Sequence, residues 1–334
     1  MQNITALFRS DAINYNQNEA PSVLNPGGGL STKKKYLALA MPHIEFVTEA
    51  VDMGSISIVD VLYFSDGGTE DERDRRIKDY RRQSGFKILW TSDFEILRWL
   101  PKHREQILDA TDIIAANSVY MKELLETYFN TNKVALLTDT IDTNVPDGQI
   151  NRENIIYSCS NILLEKGIDD IISLYKAMRT GTPAERKMKK MFIGGSDSWG
   201  VEIREIDSFE LELALEEVCD LQQMKNDDVL ALGRKALIYA SFARFETFGY
   251  ALVEAMLGGC WIFARPHLAY KDRIYAGVVI SADSALEMRS EIQKFLGTGE
   301  NKRNDTAIQF VHDNYSLDVF RRQFRDIVGD LYAI

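Results

Sequence analysis

Glu246 and Glu254 stand eight residues apart in the segment Arg244-Phe245-Glu246-Thr247-Phe248-Gly249-Tyr250-Ala251-Leu252-Val253-Glu254-Ala255-Met256. The pattern puts Glu246 in a loop and Glu254 about two turns into an apolar helix. Thr247-Phe248-Gly249 leads into that helix. A glycine there lets a ligand come close to the backbone. The N–H groups of the first helical turn, together with the helix dipole, attract an anion. One short segment thus combines a phosphate site with two carboxylates that can accept hydrogen bonds from hydroxyls, as a nucleotide sugar requires. The plainer alternative is a buried amphipathic helix carrying two incidental glutamates.

Other segments offer related chemistry. In Ser160-Asn161-Ile162-Leu163-Leu164-Glu165-Lys166-Gly167, the lysine lies on a loop before a helical pattern. A lysine so placed can neutralise a diphosphate and stabilise charge on a leaving group, although Glu165-Lys166-Gly167 also reads as a solvated turn. Pro26-Gly27-Gly28-Gly29-Leu30 permits a tight loop whose amides can face a phosphate or a sugar; a flexible turn is the alternative. Asp93, after Lys87-Ile88-Leu89-Trp90-Thr91-Ser92, suits a helix N-cap before Phe94-Glu95.

These residues need a scaffold, and the chain alternates short apolar runs with helical patterns throughout, the signature of parallel α/β architecture. In the first half, strands are expected over Ile4–Phe8, Ile58–Phe64, Lys87–Thr91, Asp112–Ala116 and Val134–Leu137. Helices are expected over Leu30–Ala40, Phe94–Ala110 and Val119–Tyr128. The polar stretch Asp142–Gly148 reads as an interdomain linker. Strands then recur over Ile155–Cys159, Lys190–Ile193, Ala236–Ser241, Trp261–Ala264 and Val278–Ser281. The helices between them include Ile168–Arg179, Phe209–Gln223 and Tyr250–Leu257, and Thr306–Tyr332 reads as mostly helix. At 334 residues, two domains are expected, with a cleft between them as a place for a small molecule.

Hydrophobic content of 45% and charged content of 27% suit a globular enzyme. No apolar run is long enough to span a bilayer, and Met1–Ala20 lacks a signal-peptide core. Cys159, Cys219 and Cys260 form neither a disulfide framework nor a Cys-x-x-Cys pair, so a reduced, cytoplasmic setting is expected. His43, His103, His267 and His312 show no metal-ligand spacing and read as ordinary histidines.

The segment around Glu246 and Glu254 resembles the Glu-x7-Glu signature of retaining GT-B glycosyltransferases, especially glycosyltransferase family 4. The family wording is Pro-Ser-x-x-Glu-x-Phe-Gly, four variable residues, then Glu-Ala-Met-Ala. Here the Glu, Phe, Gly, Glu, Ala and Met positions match, while Phe242-Ala243 replaces Pro-Ser. Lys166 matches the lysine of the family's Gly-Arg-Leu-x-x-x-Lys-Gly, but Asn161 replaces its arginine, leaving Arg244 or Arg265 as candidates to supply the missing charge. The glycine-rich loop, the strand ending at Asp93, Asp112–Ser118, Thr138–Thr143 and the glycines after Phe192-Ile193 also resemble family landmarks, in family order.

The resemblance covers most of the chain and implies a GT-B fold, α/β, with two Rossmann-like domains facing across a cleft. The expected division is an acceptor-side domain over 1–145, a nucleotide-sugar-binding domain over 146–305 and a helical tail over 306–334 that would pack back on the first. It implies metal-independent, retaining transfer from a nucleoside-diphosphate sugar, with a UDP- or GDP-sugar as first expectation and no further cofactor. Lys166, Glu246 and Asp93 would be catalytic. Gly28, Gly29, Asn161, Lys166, Gly194, Thr247, Phe248, Gly249 and Glu254 would bind the donor, with Glu254 on the ribose and Glu246 on the transferred sugar. A nucleotide-sugar epimerase and a non-catalytic sugar-nucleotide-binding protein are the competing readings.

The acceptor is a hydroxyl compound that the sequence does not identify. Arg73, Arg75, Arg76, Lys78, Arg81, Arg82 and Lys87 crowd one stretch, and Lys33-Lys34-Lys35 lies in the same half. Interleaved acids make a solvated helix face the first reading. The functional reading is docking of an anionic acceptor through Arg75, Arg76, Arg81 and Arg82: a membrane surface, a phosphorylated glycan or a modified base in DNA. The net charge of −11 argues against a nucleic-acid surface covering the molecule.

Overall fold

Most of the strand segments are buried on both faces, as parallel sheets covered by helices require. The structure, a computed structural model, describes residues 4–8, 29–50, 53–65, 69–91, 101–144, 151–194 and 206–329. Two compact units emerge: one takes Met1–Tyr15, Leu30–Asp142 and Tyr315–Ile334, and the other takes Asn16–Gly29 and Thr143–Asn314.

The first unit holds a parallel sheet of β1 (Ile4–Leu7), β2 (Glu45–Val47), β3 (Ile56–Asp60), β4 (Phe86–Thr91), β5 (Ile113–Ala116) and β6 (Val134–Leu136), in the order β2-β1-β3-β4-β5-β6. Its connecting helices are α1 (Gly29–Ala40), α2 (Glu70–Arg82), α3 (Pro101–Asp109) and α4 (Val119–Phe129). One apolar cluster joins Leu7, Val59, Leu89 and Ile114 to Ile77, Ile107 and Leu125 of the helices. The other joins Ile4, Ile58, Ile88 and Trp90 to Leu37 of α1 and to the last helix of the chain.

The second unit holds β7 (Glu153–Cys159), β8 (Lys189–Ile193), β9 (Asp220–Gln222), β10 (Ala236–Ser241), β11 (Trp261–Ala264) and β12 (Val279–Ser281), parallel in the order β12-β11-β10-β7-β8-β9. Around it lie α5 (Ile168–Arg179), α6 (Pro183–Lys187), α7 (Ile206–Val218), α8 (Asn226–Gly233), α9 (Tyr250–Gly258), α10 (Lys271–Tyr275), α11 (Ala285–Gly297) and α12 (Asp305–Tyr315). The buried Glu185 of α6 closes a capping box with Thr182 and also receives Arg289 of α11 at 2.7 Å. Burial disfavours ionisation of its carboxyl, but Arg289, Gln293 and Thr182 outweigh that and hold its pKa at about 2.

Several segments differ from the sequence expectation. The strand expected over Ile58–Phe64 is β3, which ends at Asp60 and gives way to a 3-10 turn over Val61–Ser65. The apolar run continues, but the Asp60 carboxylate accepts the Leu62 N–H at 2.9 Å and turns the chain. Arg76 and Arg73 then bind the carbonyls of Tyr63 and Phe64. The helix expected to reach Gln223 stops at Val218, and Asp220–Gln222 pairs with β8 instead. The short strand Glu45–Val47 and the helices α6, α8, α10 and α11 have no counterpart among the expected elements. Of the helix expected over Phe94–Ala110, Pro101–Asp109 is helical and 94–100 lie outside the described residues. Of the linker, 145–148 lie outside them too.

The helical tail is broken into α12 and α13 (Leu317–Val328) at Ser316, which bridges to Ile141. Leu317, Phe320, Phe324 and Val328 of α13 enter the first unit's core, with Phe320 tilted against Trp90 at 5.6 Å. Among the described residues no helix is long and apolar enough to cross a membrane.

Candidate functional site

In the second sheet the strand order reverses between β7 and β10, since β8 continues to one side of β7 and β11 to the far side of β10. At such a switch point the two following loops diverge, and the crevice beyond the strand ends is where open α/β sheets bind ligands. Both loops here carry the residues singled out by chemistry. After β7 come Asn161, a single 3-10 turn over Leu164–Lys166, and Gly167 leading into α5. After β10 come Phe242 to Gly249 and then α9.

The loops are laced together. The Arg244 N–H donates to the Glu165 carbonyl at 2.8 Å. Lys166 Nζ donates to the Phe245 carbonyl at 3.2 Å and to Glu246 Oε2 at 3.3 Å. Gly167 has φ +70°, and an added Cβ there would lie 2.2 Å from the Phe242 carbonyl oxygen, so close approach of the loops demands glycine. Glu246 Oε1 accepts the Thr247 N–H at 3.1 Å, which orients the carboxylate. The side chains of Lys166 and Glu246 keep 21% and 22% exposure, so solvent or a ligand reaches both.

Gly249 is the N-cap of α9 at φ +81°, with no side-chain cap on the helix start. A Cβ there would meet the ring of Tyr270 at 2.9 Å. Glu254 is 6% exposed and accepts from Asn226 Nδ2, at the start of α8, at 3.3 Å. Gly194 follows β8, and its N–H pairs with the Gln222 carbonyl at 2.9 Å. A helix start, an ammonium and two carboxylates thus converge beyond the ends of parallel strands, in a set able to hold a phosphate and hydroxyls at once.

His267, read from sequence as an ordinary histidine, belongs to this surrounding. Its Nδ1 accepts the Ala269 N–H at 3.1 Å. Burial lowers its pKa and the charge of Lys166 lowers it further, while Glu246 and a hydrogen bond to the Arg244 backbone act in the opposite sense. Asn226, Tyr270 and Arg273 also entered no sequence reading. No local spacing marks them.

Asn161, Lys166, Thr247, Phe248, Gly249 and Glu254 are therefore brought to one switch point, and Gly194 to the end of the neighbouring strand. Gly28 and Asp93 lie outside the described residues, and Gly29 is the first residue of α1. In the first unit the basic stretch divides. Arg73 and Arg76 are committed to backbone carbonyls, and Lys87 donates to the Gln83 carbonyl at 3.0 Å. Arg75, Lys78, Arg81 and Arg82 remain exposed on α2. The lysine run divides too. Lys33 is buried at 2.8 Å from Asp60, while Lys34 and Lys35 lie over the rings of Phe46 and Tyr36.

Folding also assembles a grouping that spacing could not reveal: Glu70, Asp74 and His103 offer ligand atoms within 4.8 Å of one another. Lys102 Nζ stands 2.9 Å from Glu70 and 3.9 Å from Asp74, and His103 Nε2 lies 2.7 Å from Asp74, so an ammonium already serves these carboxylates.

The sequence family described as Glycosyl transferases group 1 matches residues 141–308, the part of the chain that carries this site. No curated protein matches the sequence. Among solved structures, sucrose-phosphate synthase from Thermosynechococcus elongatus is 11% identical with a TM-score of 0.71, covering 99% of each chain. HepE from Anabaena, solved with UDP and glucose, is 12% identical with a TM-score of 0.68, covering 99% of this chain and 100% of its own. TarM of S. aureus is 14% identical with a TM-score of 0.61, and the match spans 82% of this chain but 55% of TarM. At these identities the structures speak for the fold, and the family match speaks for descent. With two parallel, helix-flanked sheets and the carboxylate–lysine constellation at the switch point of the second, the chain has the GT-B fold and belongs to the glycosyl transferases of group 1.

Proposed function

We propose that this glycosyltransferase moves a sugar from a nucleoside-diphosphate sugar to a hydroxyl acceptor, with retention at the anomeric carbon and no bound metal. The observation that carries the reading is the uncapped start of α9 at Gly249, flanked by the Lys166–Glu246 pair and by Glu254. The first-turn amides and Lys166 hold the diphosphate. Their positive charge grows in value as the bond from the anomeric carbon to the phosphate oxygen breaks, which is the charge a metal supplies elsewhere. The acceptor oxygen bonds to that carbon from the same face and passes its proton to the departing phosphate. Glu254 accepts from the ribose hydroxyls and Glu246 from those of the transferred sugar. UDP- and GDP-sugars are the first donors to test, and HepE, similar in fold, was solved with UDP and glucose. The second unit supplies the donor site and the first unit the acceptor site, with Asp93 assigned to the acceptor or sugar.

The exposed face of α2, with Arg75, Lys78, Arg81 and Arg82, favours an anionic acceptor. Arg76, bound to the Tyr63 carbonyl at 2.6 Å, serves the fold there.

Thermal unfolding against a panel of UDP-, GDP- and ADP-sugars tests the reading, since a ligand of the folded state raises Tm. One class is expected to raise it, and the shift is expected to shrink in Glu254→Gln, with donor affinity about ten- to a hundredfold weaker. A buried bond between carboxylate and hydroxyl is worth about 1.5–3 kcal/mol. Transfer is expected to run unchanged in chelator, and a divalent-metal requirement in the chemical step would overturn the mechanism. Product stereochemistry by NMR reads retention directly.

A further inference from the structure

Asn161 leaves the site one positive charge short of the Gly-Arg-Leu-x-x-x-Lys-Gly pattern, and neither Arg244 nor Arg265 is turned to that task. Arg244 Nη2 binds Asp169 and, at 2.9 Å, Asp170, and its Nη1 donates to the Leu164 carbonyl. Arg265 lies 3.4 Å from Asp170 and donates to the Asp283 carbonyl. A different arginine lies behind the helix start. Arg273 of α10 is 1% exposed, and its Nη1 donates to the Phe248 carbonyl at 2.7 Å. Its guanidinium sits over the rings of Phe248 and Tyr270, at 4.9 and 5.4 Å, and Asp272 lies 3.9 Å from its Nε. Tyr270 in turn fills the space that any side chain at position 249 would need.

We propose that Arg273 is a positioning residue for the diphosphate: by holding the Phe248 carbonyl it aims the Gly249 N–H at the ligand and sets a positive charge behind the site. The carbonyl and the N–H of one trans peptide point in opposite directions. A carbonyl drawn inward to a buried guanidinium therefore turns the Gly249 N–H outward, toward the uncapped start of α9. A charged donor on the carbonyl also polarises the peptide and makes its N–H a stronger donor. The three groups form a relay: guanidinium to carbonyl, across the peptide, and N–H to phosphate oxygen. This deepens the proposed function and rests on its reading of the helix start as a diphosphate site.

The test compares Arg273→Gln and Arg273→Lys with the wild-type protein, measuring Kd for UDP, GDP and ADP and for uridine, guanosine and adenosine. Arg273→Gln is expected to weaken the bound nucleoside diphosphate at least about tenfold, or about 1.4 kcal/mol, and to leave the matching nucleoside unchanged. Arg273→Lys keeps the charge and one donor and is expected to fall between. A residue that only fills the core would change diphosphate and nucleoside affinity in proportion, or would change Tm alone. Proportional loss, an unchanged diphosphate Kd, or failure of both variants to fold would each overturn the positioning role. If the wild-type protein binds none of the three diphosphates, the site reading falls and this inference falls with it. If the wild-type protein binds one and Arg273→Gln binds it equally, the inference alone falls.

Discussion

Each unit contains a lysine–carboxylate pair, and the two pairs differ in what their charges are available to do. In the first unit, Lys33 and Asp60 are 2% and 0% exposed and 2.8 Å apart, with Asp139 at 3.8 Å. Lys33 Nζ also lies 3.5 Å from the centroid of the Trp90 ring. In the second unit, Lys166 and Glu246 are 3.3 Å apart, about one-fifth exposed, and shared with backbone groups of their loops. A closed pair has lost its water and depends on its partner, so its charges hold the fold. A half-open pair keeps a route to solvent, so a ligand can compete for either charge. Two lysines that look alike in sequence thus differ by burial: Lys33 is sealed in the fold, and Lys166 stays open for the chemistry proposed above.

Lys33→Met is expected to have the largest effect. Removing Lys33 takes the ammonium from the buried Asp60 carboxylate, at a cost of about 3–5 kcal/mol, measured by urea unfolding. A loss near zero would mean that Asp60 protonates or rehydrates easily, and the contrast between the pairs would collapse.

Lys166→Ala should give the inverse pattern. Stability should change by less than about 1 kcal/mol, while turnover at saturating donor should fall at least about tenfold, because leaving-group charge grows in the transition state. Normal turnover in a folded variant would assign the leaving-group charge to another cation.

The exposed arginines of α2 extend the comparison to pairs that water screens almost fully. Arg75 lies 3.7 Å from Glu72 and Arg82 lies 3.9 Å from Asp79, with arginine exposures of 62% and 65%. Replacing Arg75, Arg81 and Arg82 by serine should leave Tm nearly unchanged. It should weaken use of an anionic acceptor at low salt. That effect should shrink as salt rises, since exposed charges are screened over about 8–10 Å. Equal acceptor use at low salt would make α2 a solvated face and nothing more.

The smallest effect concerns His267, which reads the half-open pair from nearby. Its folded pKa lies below the ordinary 6.5, chiefly through burial and then through Lys166. The unfolded chain therefore takes up the proton first as pH falls. The contribution of neutral His267 to stability is present above about 6.5 and is lost toward the folded value. An NMR titration of the ring should move upward in Lys166→Ala and downward in Glu246→Gln. Opposite shifts would place the two charges differently around the ring.

Much of the site was legible because its parts are local. Lys166-Gly167 and Glu246 to Glu254 each lie within one loop and the following helix, so residue type and spacing describe them before any folding. Their meeting was an expectation from family order, and it depends on β7 and β10 being neighbours. Asn226, His267 and Arg273 were invisible because they reach the site from other loops and helices, which contribute no motif of their own. The apolar run Ile58–Phe64 misled for a related reason. Its hydrophobicity is continuous, and only the Asp60–Leu62 contact and the two arginines of α2 end the strand.

Periodicity, glycine placement and a cation beside a helix start act over a few residues, so the alternation of strand and helix and the loops proposed to hold a diphosphate could be read from the chain alone. Which charges are spent on the fold and which stay open was set by three-dimensional packing. Burial and partner choice depend on strand order and on helices distant in the chain. That is why Lys33 is sealed against Asp60 while its neighbours Lys34 and Lys35 lie over aromatic rings, and why Arg273 reaches the Phe248 carbonyl.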